Sequence, residues 1–213
     1  FEKAVIKITY ESLCSLRETR IFGCQDFFLR TFLGARENLL RINTITAVTN
    51  GGTGARSTKD GLSATAYPSG VRGTPVEINE TVAPLIFHRK EYRTDSAGAG
   101  ATRGGLGQVI EITSAIDADM ELLAAFDRVT FPARGRMGGN NGDAGSVTLA
   151  SGMELAGKGT QMIEAGERVI LHTPGGAGYG YAKNRDRAKI AADVADGLIT
   201  VEAARTVYGF DAT

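Results

Sequence analysis

Residues 85–100 read LIFHRKEYRTDSAGAG, and the two halves of this stretch predict two kinds of local structure. Along 85–92, every second residue from Leu85 falls on one face of an extended chain, a period of two that is typical of a β-strand. The run of small residues from Ser96 to Gly100 predicts a turn, because glycine adopts a positive φ at little steric cost. We therefore expect short strands that are separated by glycine-rich connections.

The same combination of strand-like runs and glycine-rich turns extends over residues 44 to about 173. Short strands at regular spacing, punctuated in this way, predict an antiparallel sandwich or barrel. The other predicted strands are 108–113, 122–126, 146–150, 161–163 and 169–173.

The pattern changes to a helical period near the C-terminus. Ile190, Val194 and Leu198 recur at helical spacing with alanines between them, which predicts a helix with one apolar face. A second short helix is predicted over 201–208, with Thr200 as its N-cap. The fold class that follows is mainly β with a short helical C-terminal tail, and α+β overall.

Composition sets the N-terminal part of the chain apart. The first 43 residues hold both cysteines and five of the nine phenylalanines, but only two of the 28 glycines. A strand over 4–10 and a helix from Asp26 are predicted there, and the helix carries a stripe that includes Phe28 and Phe32. Whether this stripe packs on the rest of the chain or on another subunit stays open. We divide the chain into an unassigned strand–helix segment (1–43), a β-rich core (44–183) and a helical tail (184–213).

Length and charge exclude several classes of function. The 213 residues include 24 Lys and Arg and 24 Asp and Glu, so the formal net charge is zero. Binding to nucleic acid or to an anionic membrane surface favours a basic excess, and a membrane span needs about 18 consecutive apolar residues. Two cysteines cannot staple a domain of this size, and no other feature indicates an oxidising compartment. We expect a cytoplasmic protein that binds neither nucleic acid nor membranes.

Two glycine motifs resemble nucleotide-binding loops without meeting their requirements. Residues 152–159 contain G-x-x-x-x-G-K, but Gly159 stands where a phosphate loop needs a hydroxyl residue for magnesium. In residues 176–180 (GAGYG), the third glycine comes one position too early for a dinucleotide loop, and too little chain follows. We predict that the first motif is a turn, that the second is not a dinucleotide loop, and that this chain alone binds no cofactor.

A metal site and a covalent nucleophile have little support in the sequence. The two histidines, His88 and His172, lie 84 residues apart in separate predicted strands. Neither has a cysteine or carboxylate at ligand spacing on its face, so we predict no metal site in this chain. No serine lies in a nucleophile elbow.

The remaining candidates for a site are charged residues among small neighbours, where a ligand can approach a charge closely. Their catalytic role is unknown from the sequence. The alternative interpretation is that Asp60 and Asp95 only form turns through bonds from side chain to backbone. The candidates are Asp60, Glu77, Asp95 and Arg103, with Arg56 as a fifth.

The glycine clusters, in their order along the chain, resemble the C-terminal part of the hydantoinase B/oxoprolinase family. The resemblance covers about residues 44–210, and it does not include the first 43 residues. The segments that carry it include 50–56 (NGGTGAR), 74–77 (TPVE), 103–107 (RGGLG) and 174–180 (PGGAGYG).

The resemblance implies an ATP-dependent enzyme that hydrolyses a cyclic amide or imide, such as a hydantoin, 5-oxoproline or a lactam. In such systems an ATP-binding A-type subunit phosphorylates the carbonyl oxygen of the substrate, and the B part completes the hydrolytic site. This chain would be inactive alone, with the A-type subunit and the N-terminal half of the B part as its partners. ATP and a divalent metal would belong to the complete complex.

The metal-binding motifs of the family lie in that N-terminal half and find no match here. No catalytic residue can therefore be carried over to this chain. Two alternatives stay open: a component of an acetone- or acetophenone-type ATP-dependent carboxylase, and a non-catalytic assembly module.

Overall fold

A computed structural model describes residues 49–66 and 75–211 of the chain. The strand predicted over 4–10 and the helix predicted from Asp26 lie outside these residues. The described strands are β1 (Leu85–Tyr92), β2 (Gln108–Ser114), β3 (Met120–Ala125), β4 (Ser146–Leu149), β5 (Lys158–Ile163) and β6 (Arg168–His172). The described helices are α1 (Val76–Val82), α2 (Arg187–Ala195) and α3 (Val201–Thr206), with a 3₁₀ turn at Ala182–Asn184.

The strands form two antiparallel sheets. Four strands pair in the order β1-β2-β6-β4, and β3 pairs with β5. Apolar side chains of both sheets share one hydrophobic core, in which Ile110 of β2 and Ile163 of β5 have no exposed surface. The predicted antiparallel, α+β architecture is confirmed. Both sheets have free edge strands, and neither closes into a barrel in the described residues.

The period of two accounts for the positions of the strands. β1 spans the predicted residues, and the ends of the other five strands differ from prediction by three residues or fewer. In β6, Val169 and Leu171 are buried and alternate with half-buried neighbours. β6 thus presents one apolar face to the shared core.

The helical tail is confirmed with shorter helices than predicted. The side chain of Thr200 accepts a hydrogen bond from the amide of Ala203 at 3.1 Å, as expected of an N-cap. Between α2 and α3, Gly197 adopts a φ of +69°, the left-handed conformation that commonly ends helices. Ile190 of α2 and Tyr208 after α3 lie in a second small hydrophobic cluster. None of the helices in residues 49–66 and 75–211 has the length and hydropathy of a transmembrane segment.

A third structural unit, which we call the glycine layer, consists of glycine-rich segments that bond to one another outside the regular strands. The amide of Gly52 donates to the carbonyl of Pro174, that of Gly105 to Thr53 and that of Gly176 to Gly105, at 2.8–2.9 Å. A Cβ on Gly52 would lie 1.8 Å from the carbonyl oxygen of Gly105. The segments of the glycine layer are 51–54, 96–107, 135–142 and 174–180.

This layer corrects one part of the sequence interpretation. The turn at 96–100 was expected to need positive φ, but neither Gly98 nor Gly100 has a φ in that region. A Cβ on Gly98 would instead lie 2.3 Å from the carbonyl oxygen of Asn140. Glycine is required there because two backbones pass too closely for any side chain, whereas Gly138 and Gly166 do adopt the expected positive φ.

Candidate functional site

Four charged side chains from distant parts of the chain meet in the interior, and we call this group the charge cluster. Asp60 and Arg103 come from glycine-rich segments, Arg185 follows the 3₁₀ turn, and Asp193 lies on α2. The side chain of Arg185 is only 1% exposed, and those of Arg103 and Asp193 are below 10%. Charges buried to this degree are stable only when they are paired and hydrogen-bonded.

Arg185 lies at the centre of the charge cluster. Its Nη1 and Nη2 donate to the two carboxylate oxygens of Asp60 at 2.8 and 3.0 Å, and Nη2 also donates to Oδ2 of Asp193 at 2.7 Å. Arg103 contacts both acids too, with Nη2 at 3.2 Å from Oδ1 of Asp193 and its backbone amide at 2.8 Å from Oδ1 of Asp60. Two cations and two anions therefore compensate one another.

The charge cluster stabilises the charged forms of Asp60 and Arg185. Burial alone would raise the pKa of Asp60, but the hydrogen bonds from Arg185 and the Arg103 amide, together with both cations, lower this pKa below its ordinary value of 3.8. Burial alone would lower the pKa of Arg185, but its two carboxylate partners, Asp60 and Asp193, raise this pKa above its ordinary value. Burial also raises the pKa of nearby Tyr208 to about 12. None of these three groups titrates near neutral pH, so none of the three is suited to act as a general acid or base there.

The predicted candidates fall in three places. Asp60 and Arg103 lie together in the charge cluster. Asp95 has a φ of +63° and its Oδ1 accepts from the amide of Thr200 at 2.8 Å, which ties it to the start of α3. Glu77 lies exposed in the first turn of α1, and Arg56 is exposed with its carbonyl bonded to a threonine hydroxyl. The catalytic role of these residues stays a prediction.

Two members of the charge cluster, Arg185 and Asp193, were not predicted from the sequence. One signal existed for Asp193, which lies one helical turn after Ile190 and so falls on the apolar face of the predicted helix. A carboxylate on that face predicts a buried cationic partner. Arg185 lies 125 residues from Asp60 and eight residues from Asp193, and neither spacing is a pattern that predicts an ion pair.

An open cleft of about 910 Å³ borders the glycine layer. Residues 49–54 line one side of it, and Arg128, Arg134 and Arg136 are among the residues of the β3–β4 connection that line another. The neighbouring carboxylate of Asp127 is paired with Nζ of Lys158 at 3.1 Å. The cleft is thus lined both by glycine-rich backbone and by positively charged residues.

The described residues do not fit a divalent cation. Within residues 49–66 and 75–211, no three side chains of His, Cys, Asp or Glu come together as ligands. His88 bonds Thr113, and His172 bonds Ser146, each through ring nitrogen and hydroxyl oxygen. The carboxylates of the charge cluster are already held by guanidinium groups, so we derive no catalytic step through a metal in this part of the chain.

The motif at 152–159 also lacks the surroundings of a phosphate loop. Gly152 has a φ of +91°, and β5 begins at Lys158. A phosphate loop would continue into a helix whose N-terminal amides contact the phosphates. The prediction of a turn at this motif agrees with that geometry.

Comparison with known proteins establishes the family. The profile of the Hydantoinase B/oxoprolinase family matches residues 22–182, and the chain belongs to this family. The predicted resemblance is confirmed. The first 43 residues were not expected to match, and this expectation is wrong for residues 22–43, because the match begins at residue 22.

Individual relatives support the same assignment. The B-type component of a putative D-/L-hydantoinase from Pseudomonas sp. (strain NS671) is 30% identical over 174 residues, which cover 78% of this chain and 29% of that protein. The crystal structure of the ATP-dependent caprolactamase from Pseudomonas jessenii superposes with a TM-score of 0.66 at 27% identity, covering 78% of this chain and 30% of that one. A nucleotide-free acetone carboxylase structure, with a TM-score of 0.58 at 22% identity over 75% of this chain and 26% of that one, shares the fold. The chain thus spans less than a third of the length of each of these proteins.

Proposed function

We propose that this chain is the C-terminal part of the B component of an ATP-dependent amidohydrolase, which opens a cyclic amide or imide such as a hydantoin, 5-oxoproline or a lactam. The observation that carries the proposal is the similarity to an ATP-dependent caprolactamase over 78% of the chain. The relative named as the B-type component of a hydantoinase supports the same class of reaction. The likeness to acetone carboxylase supports the fold alone. A component of an ATP-dependent carboxylase stays the alternative that the sequence resemblance leaves open.

The proposed partners are an ATP-binding A-type subunit and the N-terminal half of the B part. A resonance-stabilised amide is a poor electrophile, and phosphorylation of its oxygen on the A-type subunit would prepare it for attack by water. The described residues supply neither a phosphate loop nor a set of cation ligands, which supports the assignment of ATP and the divalent cation to those partners.

The part of this chain in the complex would be to shape one wall of the hydrolytic site. The charge cluster joins the glycine-rich segments to the helical tail through bonds of Arg185 to Asp60 and Asp193. Such a rigid support keeps neighbouring site residues in position. In this proposal, Asp60 and Arg103 are positioning residues.

The test is reconstitution. The purified chain is mixed with ATP and with hydantoin, 5-oxoproline or caprolactam, with and without an A-type subunit and the N-terminal half of the B part, and ADP and ring-opened product are measured. We expect turnover only in the complete mixture. Turnover by the isolated chain would contradict the claim that it is one part of the enzyme.

The same assay separates the alternatives. ATP consumption that depends on bicarbonate and a ketone, with none on cyclic amides, would favour the carboxylase. A stable complex that turns over neither class of substrate would favour the assembly module.

A further inference from the structure

The cleft beside the glycine layer has the features of a binding site for a small anion. Three arginines, Arg128, Arg134 and Arg136, are among the residues that line it, and all three are exposed. Its volume of about 910 Å³ falls within the range of roughly 300–1,000 Å³ that is usual for small-molecule sites. We refer to it below as the arginine cleft.

The positive charge of the arginine cleft is not compensated by the described part of the chain. None of its three arginine side chains has an ion pair or a hydrogen bond there, whereas Arg93 and Arg168 elsewhere on the surface are paired with carboxylates at 3.0 and 3.1 Å. Asp127, the acidic residue in the lining, is already bonded to a lysine. A cleft lined by one sign of charge concentrates ligands of the opposite sign.

Arg128 is held in an unfavourable backbone conformation. Its φ of +59° lies in the left-handed region, which residues other than glycine, asparagine and aspartate rarely adopt. A hydrogen bond from the amide of Gly145 to the carbonyl of Arg128, at 3.0 Å, fixes this conformation. Strained non-glycine residues concentrate at ligand sites, and here the strain accompanies a side chain that lines the cleft.

We propose that the arginine cleft binds a small molecule that carries a phosphoryl group. A planar guanidinium donates two parallel hydrogen bonds to the oxygens of a phosphate, and three of them match a dianion better than a single carboxylate. The lining also offers the hydroxyl of Thr49 as a hydrogen-bond donor, and the 75% exposed ring of Phe131 as an apolar contact for an organic ring. The identity of the ligand as a phosphorylated cyclic amide rests on the proposed function.

The direct test is calorimetric titration of the purified chain with phenyl phosphate, a ring that bears a phosphoryl group. We expect binding by the wild-type chain and at least a tenfold weaker affinity in a triple variant that neutralises the arginine cleft. All three positions are exposed, so we expect the circular dichroism and thermal unfolding of the variant to match the wild type. The substitutions are Arg128→Gln, Arg134→Gln and Arg136→Gln.

A matched control removes the same charge from residues 183–205, where three exposed cations lie outside the lining of the arginine cleft. The affinity of this control variant for phenyl phosphate should stay within twofold of the wild type. In a second control, benzoate should bind to the wild-type chain at least tenfold more weakly than phenyl phosphate does. The control substitutions are Lys183→Gln, Lys189→Gln and Arg205→Gln.

Three results would overturn the proposal: absence of phenyl phosphate binding by the wild-type chain, equal losses in the two triple variants, or equal affinities for benzoate and phenyl phosphate. The titration requires no ATP, partner or turnover. Failure of the reconstitution assay would therefore leave this result intact, and failure of the titration would leave the proposed reaction untouched.

Discussion

The two sheets are held together by side chains, whereas the glycine layer beside them is held together by backbone. In the shared sheet core, Ile110 and Ile163 fill the space between strands and have no exposed surface. In the glycine layer, a Cβ on Gly175 would lie 1.8 Å from the carbonyl oxygen of Ser96. The sheet core can therefore lose a methyl group at moderate cost, but tightly packed positions of the glycine layer such as Gly52 and Gly175 have no room to gain one.

The largest effect is expected from a methyl group in the glycine layer. Gly52→Ala places a Cβ 1.8 Å from the carbonyl oxygen of Gly105, against rigid backbone that cannot give way. We expect a loss of at least about 4 kcal/mol in the free energy of unfolding, or a chain that does not fold. Denaturant unfolding followed by circular dichroism measures this change.

Gly54 offers a matched control two residues away. A Cβ on Gly54 would have its nearest neighbour at 4.0 Å, and its φ is not positive. Gly54→Ala should therefore leave stability unchanged or raise it by roughly 0.5 kcal/mol, because alanine restricts the unfolded chain. Equal losses in the two variants would show that the close packing of backbones is not what requires glycine here.

The next largest effect is expected in the charge cluster, which links the glycine layer to the helical tail. Arg185→Gln leaves the buried carboxylate of Asp193 with one cation in place of two and removes both guanidinium bonds to Asp60. Breaking a buried ion pair by removing one partner costs about 3 kcal/mol or more. Thermal and denaturant unfolding of the variant give the value.

Arg168→Gln is the exposed counterpart of this change. The side chain of Arg168 is 42% exposed and pairs with Glu111 at 3.1 Å on the surface of the sheet. Surface pairs contribute about 0–1 kcal/mol, so the loss should be several times smaller than in Arg185→Gln. A loss in Arg168→Gln as large as that in Arg185→Gln would contradict the role that we assign to burial.

The sheet core should respond only moderately to the opposite change, the removal of a methyl group. Ile110→Val deletes one methyl group from a fully buried position in β2, and such changes typically cost about 1 kcal/mol. The same denaturant experiment applies. A loss in Ile110→Val that equals the loss in Gly52→Ala would remove the contrast between the two regions.

The contrast also explains which features the sequence could predict. The strands follow from a period of two within a few residues, and β1 was predicted to the residue for that reason. The bonding partners within the glycine layer lie far apart in the chain, since Gly52 contacts both Gly105 and Pro174. A local pattern identifies these glycines as unusual, but it cannot reveal that they pack against one another.

The candidate site was predictable to a similar degree. Asp60 and Arg103 were selected because small residues surround them, which is a local property. Their partners Arg185 and Asp193 lie 125 and 90 residues away respectively, and only the folded chain joins them. Helix α1 was missed because its seven residues lie exposed or half-buried and give no apolar stripe.

The smallest expected effect is the dependence of stability on acid. The folded pKa of Asp60 lies below 3.8, since its bonds to Arg185 and the Arg103 amide outweigh the opposing effect of burial. A carboxylate with a lowered folded pKa stabilises the protein above its unfolded pKa of about 3.8–3.9, and this contribution is lost as the pH falls through the folded value. Asp60→Asn should therefore be less stable than the wild type at pH 6, and the difference should narrow below pH 3.8.

Unfolding curves of both chains between pH 6 and pH 3 measure this difference. The wild type and Asp60→Asn share all other carboxylates, so the titration of those carboxylates cancels when the two proteins are compared. Asp117→Asn, at an exposed position between β2 and β3, controls for the loss of one acidic side chain. A gap between Asp60→Asn and the wild type that stays constant across this range would contradict the ion pair with Arg185 as the origin of the lowered pKa.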